Sequence, residues 1–278
     1  MSTKHPPLVF TVESQATRDS GLHPNEDIFG VESNIAWIFD GASRTNASEQ
    51  VTRDLVSALG DGIREAIVAG EIDLRRISRH GVDTAIQRLE TDNSMIPPSA
   101  AGLICKLEGN ILEYLVLGDV TMIVRSQKSI SIVRDPSSVQ REVAFLQEAM
   151  DAHQSLGEVI DRRRSQMNRN DGYWIWSISR EAVDHAYLSQ FAVSPDSTVL
   201  LASDGFLRLV DVFGSVNHDE LMLLAMNKGC DFIIDMVRDL ERADDDCSRF
   251  PRATVRDDAS GLLLSVIGND GQFAVATV

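Results

Sequence analysis

The sequence lacks most of the features that assign a protein quickly. Among its 278 residues there are only three cysteines, Cys105, Cys230 and Cys247, and no two stand at a metal-binding or redox spacing. So sparse and odd a count excludes a disulfide framework and predicts reduced thiols in a cytoplasmic setting. Long apolar runs are missing as well. A stretch such as Leu221–Met226 is far too short to span a bilayer, and the opening MSTKHPPLVF has neither an apolar leader core nor a cleavage site. Neither a membrane partner nor secretion is expected. Basic residues are outnumbered, 26 Lys and Arg against 42 Asp and Glu, giving a net charge of −16. A surface of that sign repels polyanions and argues against nucleic acid. It suits divalent cations, although a solvated acidic surface explains net charge alone equally well. There is no internal repeat and no low-complexity linker.

What is present is a packed-core composition, 43% hydrophobic, over a length that fits one large domain or two small ones. The runs LVFTV (8–12), DIFGV (27–31) and IAWIF (35–39) read as strands. Val51, Leu55, Leu59, Ile63 and Ile67 recur four residues apart and make one helical stripe. A second helix is predicted over 73–91, with Leu74, Ile77, Val82, Ile86 and Leu89 on its buried side. Strands return in AGLICKLE, ILEYLVLGD, TMIVRS and SISIVR, the first two joined by the hairpin signal Glu108-Gly109-Asn110. Residues 137–170 carry a polar, amphipathic helical pattern. The last third holds the strand TVLLASDG, two helical patterns across 218–243, and the strands GLLLSVIG and QFAVATV. This order predicts an α+β fold with a two-sheet core and helices outside it.

Acidic residues mark the strand ends: Asn25-Glu26-Asp27, Asp40-Gly41, Gly118-Asp119, Ser203-Asp204-Gly205 and Asp257-Asp258. Hard cations such as Mg²⁺ and Mn²⁺ take oxygen ligands, which carboxylates on separate strands can supply. Any one Asp-Gly after a strand is no more than a turn signal. Their combination and order carry the argument.

Taken together, NED at 25–27, FDG at 39–41, LGD at 117–119, LLASDGF at 200–206 and RDDAS at 256–260 resemble the metal-dependent protein phosphatase family (PPM, type 2C). The resemblance spans nearly the whole chain; LLASDGF and the pair NED…FDG are its specific parts. It implies a four-layer α/β/β/α sandwich of two antiparallel sheets flanked by helix pairs, with 135–172 as a flap segment. It also implies a single domain over 1–278, a monomer, a phosphoprotein substrate hydrolysed at phosphoserine or phosphothreonine, and two or three Mn²⁺ or Mg²⁺ ions. Asp40 then corresponds to the carboxylate bridging two ions, with the Gly41 carbonyl as a further ligand. Asp204 and Asp257 complete the first ion's site, Glu26 and Asp27 hold the second directly or through water, and Asp119 joins Asp204 at a third. Asp40, Asp204 and Asp257 are the implied catalytic centre.

Two departures stand out. Where the family usually has a phosphate-gripping arginine, five residues before the NED aspartate, this chain has Leu22; Arg44 and Arg18 are the replacement candidates. Where many members have a histidine after Asp-Gly, it has Ala42. The leaving-group proton is then expected from water, with His23 dispensable. Trp174 and Trp176 read as packing residues, His185 as structural, and Arg162-Arg163-Arg164 as a solvated helix face. Two alternatives stay open: a phosphatase-fold binding module without turnover, and a phosphatase acting on a small phosphoester.

Overall fold

In β3 (Ile35–Gly41) every residue from Ile35 to Phe39 is buried, and the twofold alternation of a strand decides what each one meets. Ala36 and Ile38 pack between two sheets, whereas Trp37 and Phe39 pack under helices. A strand apolar on both faces belongs to a sheet covered on both sides, and the rest of the molecule follows from that. The computed structural model describes residues 7–43, 46–89, 97–127, 129–138, 164–252 and 254–268.

The chain order is β1 (Leu8–Arg18), β2 (Ile28–Glu32), β3, α1 (Asn46–Val68), α2 (Leu74–Arg88), β4 (Ala100–Glu108), β5 (Ile111–Leu117), β6 (Thr121–Ser126) and β7 (Ser129–Val133). Then come α3 (Arg180–Asp184), β8 (Tyr187–Ala192), β9 (Thr198–Ala202), α4 (Asp204–Asp211), α5 (His218–Lys228), α6 (Cys230–Ala243) and β10 (Ala259–Gly268). Two five-stranded sheets form, β1-β10-β9-β6-β7 and β2-β3-β4-β5-β8, and the pairs within them are antiparallel. Between the sheets lie Ile38, Leu103 and Val116 from one, and Met122, Leu201, Leu262 and Leu264 from the other.

The outer faces carry the helices. Leu55, Leu59 and Ile63 of α1, all 0% exposed, pack with α2 onto Trp37, Phe39 and Ile104. Burying each such side chain contributes roughly 1.5–3 kcal/mol. On the other side Phe206, Leu221, Ile233 and Val237 of α4, α5 and α6 cover Ile123, Leu200 and Leu263. The helix ends are set locally. Asp73 caps α2 by accepting from the Arg76 N–H, and Asn217 with Glu220 forms a capping box on α5. The molecule is thus the α/β/β/α sandwich that the resemblance implied.

Two expectations need correction, and one strand is new. Ile86 is exposed, so the buried stripe of α2 runs through Leu74, Ile77, Val82 and Ala85 instead. SDG begins a helix, α4, rather than ending a strand. Residues 187–192 form a strand that carried no reading. The strand QFAVATV and most of the helical pattern at 137–170 lie outside the described residues. Among the described residues no helix is long and apolar enough to cross a membrane.

Candidate active site

Antiparallel order brings several strand ends to one edge, where the two sheets meet. β3 ends there with Asp40, and β9 of the other sheet leads there into Asp204 at the start of α4. The Asp204 N–H points to Asp40 Oδ2 at 3.4 Å, so the two sheets touch through these aspartates. The turn from β5 to β6 adds Asp119, and the approaches to β2 and β10 add Glu26 and Asp257. A cleft of about 230 Å³ results, lined among others by His23, Glu26, Asp40, Gly41, Asp119, Asp204, Asp257 and Asp258.

Two glycines permit this convergence. A Cβ on Gly205 would lie 1.9 Å from the Asp258 carbonyl oxygen, so only glycine lets α4 start against the 257–258 loop. A Cβ on Gly41 would lie 2.8 Å from both the Cβ and the carbonyl oxygen of Glu26, and the Gly41 N–H donates to that carbonyl at 3.2 Å.

The two acidic doublets divide their labour. Asp258 accepts the Ser20 and Glu26 N–H groups, each at 2.8 Å, one on each oxygen. It is a clamp that holds the NED segment against β10. Its neighbour Asp257 faces the cleft, with Oδ2 accepting from Arg208 at 2.6 Å and from the Thr254 hydroxyl at 3.2 Å. In the other doublet Glu26 Oε2 accepts the Ser43 N–H at 3.1 Å, while Oε1 is buried without a partner among the described residues. Asp27 sits behind it, 6% exposed, and among the described residues neither of its oxygens has a hydrogen bond of normal geometry.

The electrostatics follow from this crowding. Burial, then repulsion from Asp258, pushes Asp27 up to about 7, although the nearby hydroxyls of Ser260 and Ser203 pull the other way. Burial also raises Glu26, against the opposing hydrogen bonds from Ser43. Asp40 is driven well above the usual carboxylate range by desolvation and then by Asp27, Asp204 and Asp119. Asp204 rises likewise, by desolvation and then by Asp257 and Asp119. Solvent reaches Asp204, so repulsion from Asp257 and Asp119 is the stronger cause there. His23 contacts the Pro24 carbonyl at 3.2 Å and Asp258 at 3.8 Å. Burial lowers its pKa, but Pro24, Asp258 and Glu26 outweigh that and leave it raised.

Such a set of oxygens, short of positive charge and in part buried without partners, fits the donor chemistry of hard divalent cations. As the side chains stand, however, no three His, Cys, Asp or Glu among the described residues converge tightly enough to hold an ion.

The comparisons with known proteins agree on the architecture. No family profile and no curated protein sequence matches the chain. Solved structures do. The catalytic domain of the serine/threonine protein phosphatase PstP, in complex with two manganese ions, aligns with a TM-score of 0.57 at 15% identity, over 94% of this chain and 99% of that one. PppA from Pseudomonas aeruginosa aligns at 0.56 and 15% identity, over 95% and 99%. The PPM Ser-Thr phosphatase MsPP from Mycobacterium smegmatis aligns at 0.53 and 13%, over 92% and 99%. This chain has the PPM phosphatase fold.

Within the PPM fold the candidate ligands Glu26, Asp40, Gly41, Asp119, Asp204 and Asp257 line one cleft, with Asp27 behind its wall. Arg18 is not among them: it is held by Asp231 and Asp235 of α6. Arg44 lies outside the described residues, as do Arg162 and Arg163. Arg164 is no solvated helix face. It donates to the carbonyls of Ala42 at 2.9 Å and Ser43 at 3.3 Å, on the cleft rim. Trp176 is fully buried edge-on to Phe39, and Trp174 stacks on His185. Sequence reasoning missed Arg208, and also Asp135, whose carboxylate accepts the Gly118 N–H at 3.1 Å and pins the turn that presents Asp119. A conspicuous signal was available for neither.

Proposed function

We propose that this chain is a metal-dependent phosphatase that removes phosphate from phosphoserine and phosphothreonine in proteins. The carrying observation is the crowding of Glu26, Asp40, Asp119, Asp204 and Asp257 around one cleft, with Glu26 Oε1 and the Asp27 carboxylate buried and, among the described residues, without a hydrogen bond of normal geometry. Asp40, with the Gly41 carbonyl as a further ligand, would be the central carboxylate holding Mn²⁺ or Mg²⁺. Asp204 and Asp257 would complete one site, Glu26 with Asp27 the other, and Asp119 with Asp204 a third. Divalent ions held there would activate a water and offset charge on the phosphoryl oxygens. The residues themselves place that charge at the meeting edge of two rigid sheets, and the Asp258 clamp and the Asp135-pinned turn keep the carboxylates in register. His23 lines the cleft with its Nδ1 against the Pro24 carbonyl and Asp258, and in this reading it is dispensable, water supplying the leaving-group proton.

A second reading, a phosphatase fold without turnover, draws on the unconverged carboxylates and on the Arg208 bond that occupies Asp257 Oδ2. One experiment separates the two: Mn²⁺-dependent hydrolysis of p-nitrophenyl phosphate and of a phosphothreonine peptide, each with and without chelator. Hydrolysis of both that EDTA abolishes is expected. Absence of turnover with bound Mn²⁺ would favour the second reading, and turnover of p-nitrophenyl phosphate alone would point to a small phosphoester.

A further inference from the structure

We infer that Arg208 is a positioning residue for metal binding: it holds one oxygen of Asp257 and so presents the other to the cleft. The inference rests on the reading of the cleft as a divalent-metal site.

Arg208 belongs to a chain of alternating charges, Arg238–Glu241–Arg208–Asp257, that runs from the interior to the cleft. Its Nη1 donates to Glu241 Oε1 at 2.7 Å and to the Thr254 carbonyl at 3.3 Å. Its Nη2 donates to the Thr254 hydroxyl at 2.5 Å and to Asp257 Oδ2 at 2.6 Å. Glu241 is wholly buried and takes its second bond from Arg238 at 2.7 Å. Arg238 in turn donates to the main-chain carbonyls of Asp257 at 2.6 Å and Asp19 at 3.0 Å. The Asp257 side chain keeps 31% exposure while Arg208 keeps 6%.

Stability alone is a poor reason for such a chain, because buried ion pairs seldom outperform apolar packing of the same volume. Its geometry suggests another use. Both arms of the guanidinium fork are engaged, one anchored on α6 and one on the loop that carries Asp257; an ammonium group cannot reproduce that fork. Asp257 is thereby fixed at its side chain by Arg208 and at its main chain by Arg238. Oδ2 has two donors, whereas Oδ1 has among the described residues only the adjacent Asp258 N–H, at 3.2 Å. One oxygen is therefore restrained and the other left to ligate. Partners of this kind behind a ligating carboxylate are typically worth 10–100-fold in metal affinity.

The test is calorimetric titration of the chelator-stripped full chain with Mn²⁺, at a temperature well below the melting point of each variant, together with thermal melts in EDTA. Arg208→Lys keeps the charge and loses the fork. Its Mn²⁺ affinity should fall by about tenfold or more. A purely structural role would lower the melting temperature and leave the affinity of the folded protein unmoved; that result overturns the inference. Should Arg208→Lys fail to fold, Thr254→Val decides, since it removes a donor to the same oxygen from an exposed position. A loss of roughly fivefold, equivalent to one hydrogen bond, is expected, and unchanged affinity refutes the inference. Wild-type protein that binds no Mn²⁺ would sink the metal-site reading and this inference with it. Wild-type binding that both variants retain would sink the inference alone.

Discussion

Replacing Asp27 by asparagine should stabilise the metal-free protein, against the usual direction of a buried substitution. Asp27 is 6% exposed, has no hydrogen bond of normal geometry, and has its pKa pushed up to about 7. An unfolded aspartate titrates near 3.9, so the native state binds the extra proton and stability falls as pH rises from about 4 through 7. At pH 8 the ionised side chain then costs the native state on the order of 4 kcal/mol. Asparagine has the same shape and no charge, and its amide can use the neighbouring Ser203 and Ser260 hydroxyls. Allowing for imperfect pairing of that amide, a gain of about 2 kcal/mol is expected, or about 4–8 °C in melting temperature. The assay is a thermal melt in EDTA at pH 8 and again at pH 5, where Asp27 is protonated in the native state and the advantage should shrink by more than half. Excess Mn²⁺ should close or reverse the gap, because ligand at a hundred times its Kd stabilises the binder by about 2.7 kcal/mol. A variant that melts no higher than wild type at pH 8, or whose advantage persists at pH 5, would refute the reasoning.

Asp204→Asn and Asp40→Asn should each reduce Mn²⁺-dependent hydrolysis of p-nitrophenyl phosphate by more than about 100-fold, since direct ligands outweigh their supporting partners. Asp119→Ala should be milder and mainly raise the Mn²⁺ concentration required; steady-state rates against metal concentration check all three. Arg18→Ala should leave KM for a phosphopeptide unchanged and alter stability by at most about 1 kcal/mol, because its exposed guanidinium is already paired with Asp231 and Asp235. Arg44→Ala, by contrast, should raise that KM with Mn²⁺ affinity intact. His23→Ala should have equal, small effects on p-nitrophenyl phosphate and on a phosphopeptide. A loss of about 10²-fold or more confined to the phosphopeptide would make His23 the proton donor.

The layers of this fold were legible because each of its central strands must satisfy two faces. IAWIF and TVLLA are apolar at successive positions, as a sheet covered on both sides demands, and the stripe Leu55–Leu59–Ile63 supplies the cover. The strand that escaped notice, β8, pairs among the described residues only with β5 and is partly exposed along its whole length. An edge strand has little apolar patterning to display. Helix α4 escaped for another reason: it opens on Asp204-Gly205, a pair that reads as a turn after a strand, and its eight residues are too few to display a helical stripe beyond Phe206, Leu207 and Leu209.

At the site, sequence could locate the acidic doublets but could not divide them. Neighbouring side chains on an extended backbone point in opposite directions, and which member faces the cleft depends on register against strands far away in sequence. Here Glu26, Asp257 and Asp258 all line the cleft and Asp27 lies behind its wall, but Asp258 joins Asp27 in the scaffold because both of its oxygens are taken by backbone donors. The two scaffold members differ in their fate: Asp258 is satisfied by two backbone donors, one of them the N–H of Glu26, whereas Asp27 is satisfied by none. Arg208 was invisible for a related reason. On an amphipathic helix it reads as an ordinary surface charge, and only the three-dimensional placement of Glu241, a charge just as unremarkable in sequence, turns it inward. Charged residues whose partners are 33 and 49 positions away leave no local trace. What the sequence could not contain is therefore the pairing of charges, and pairing is what separates a carboxylate available to a cation from one already taken.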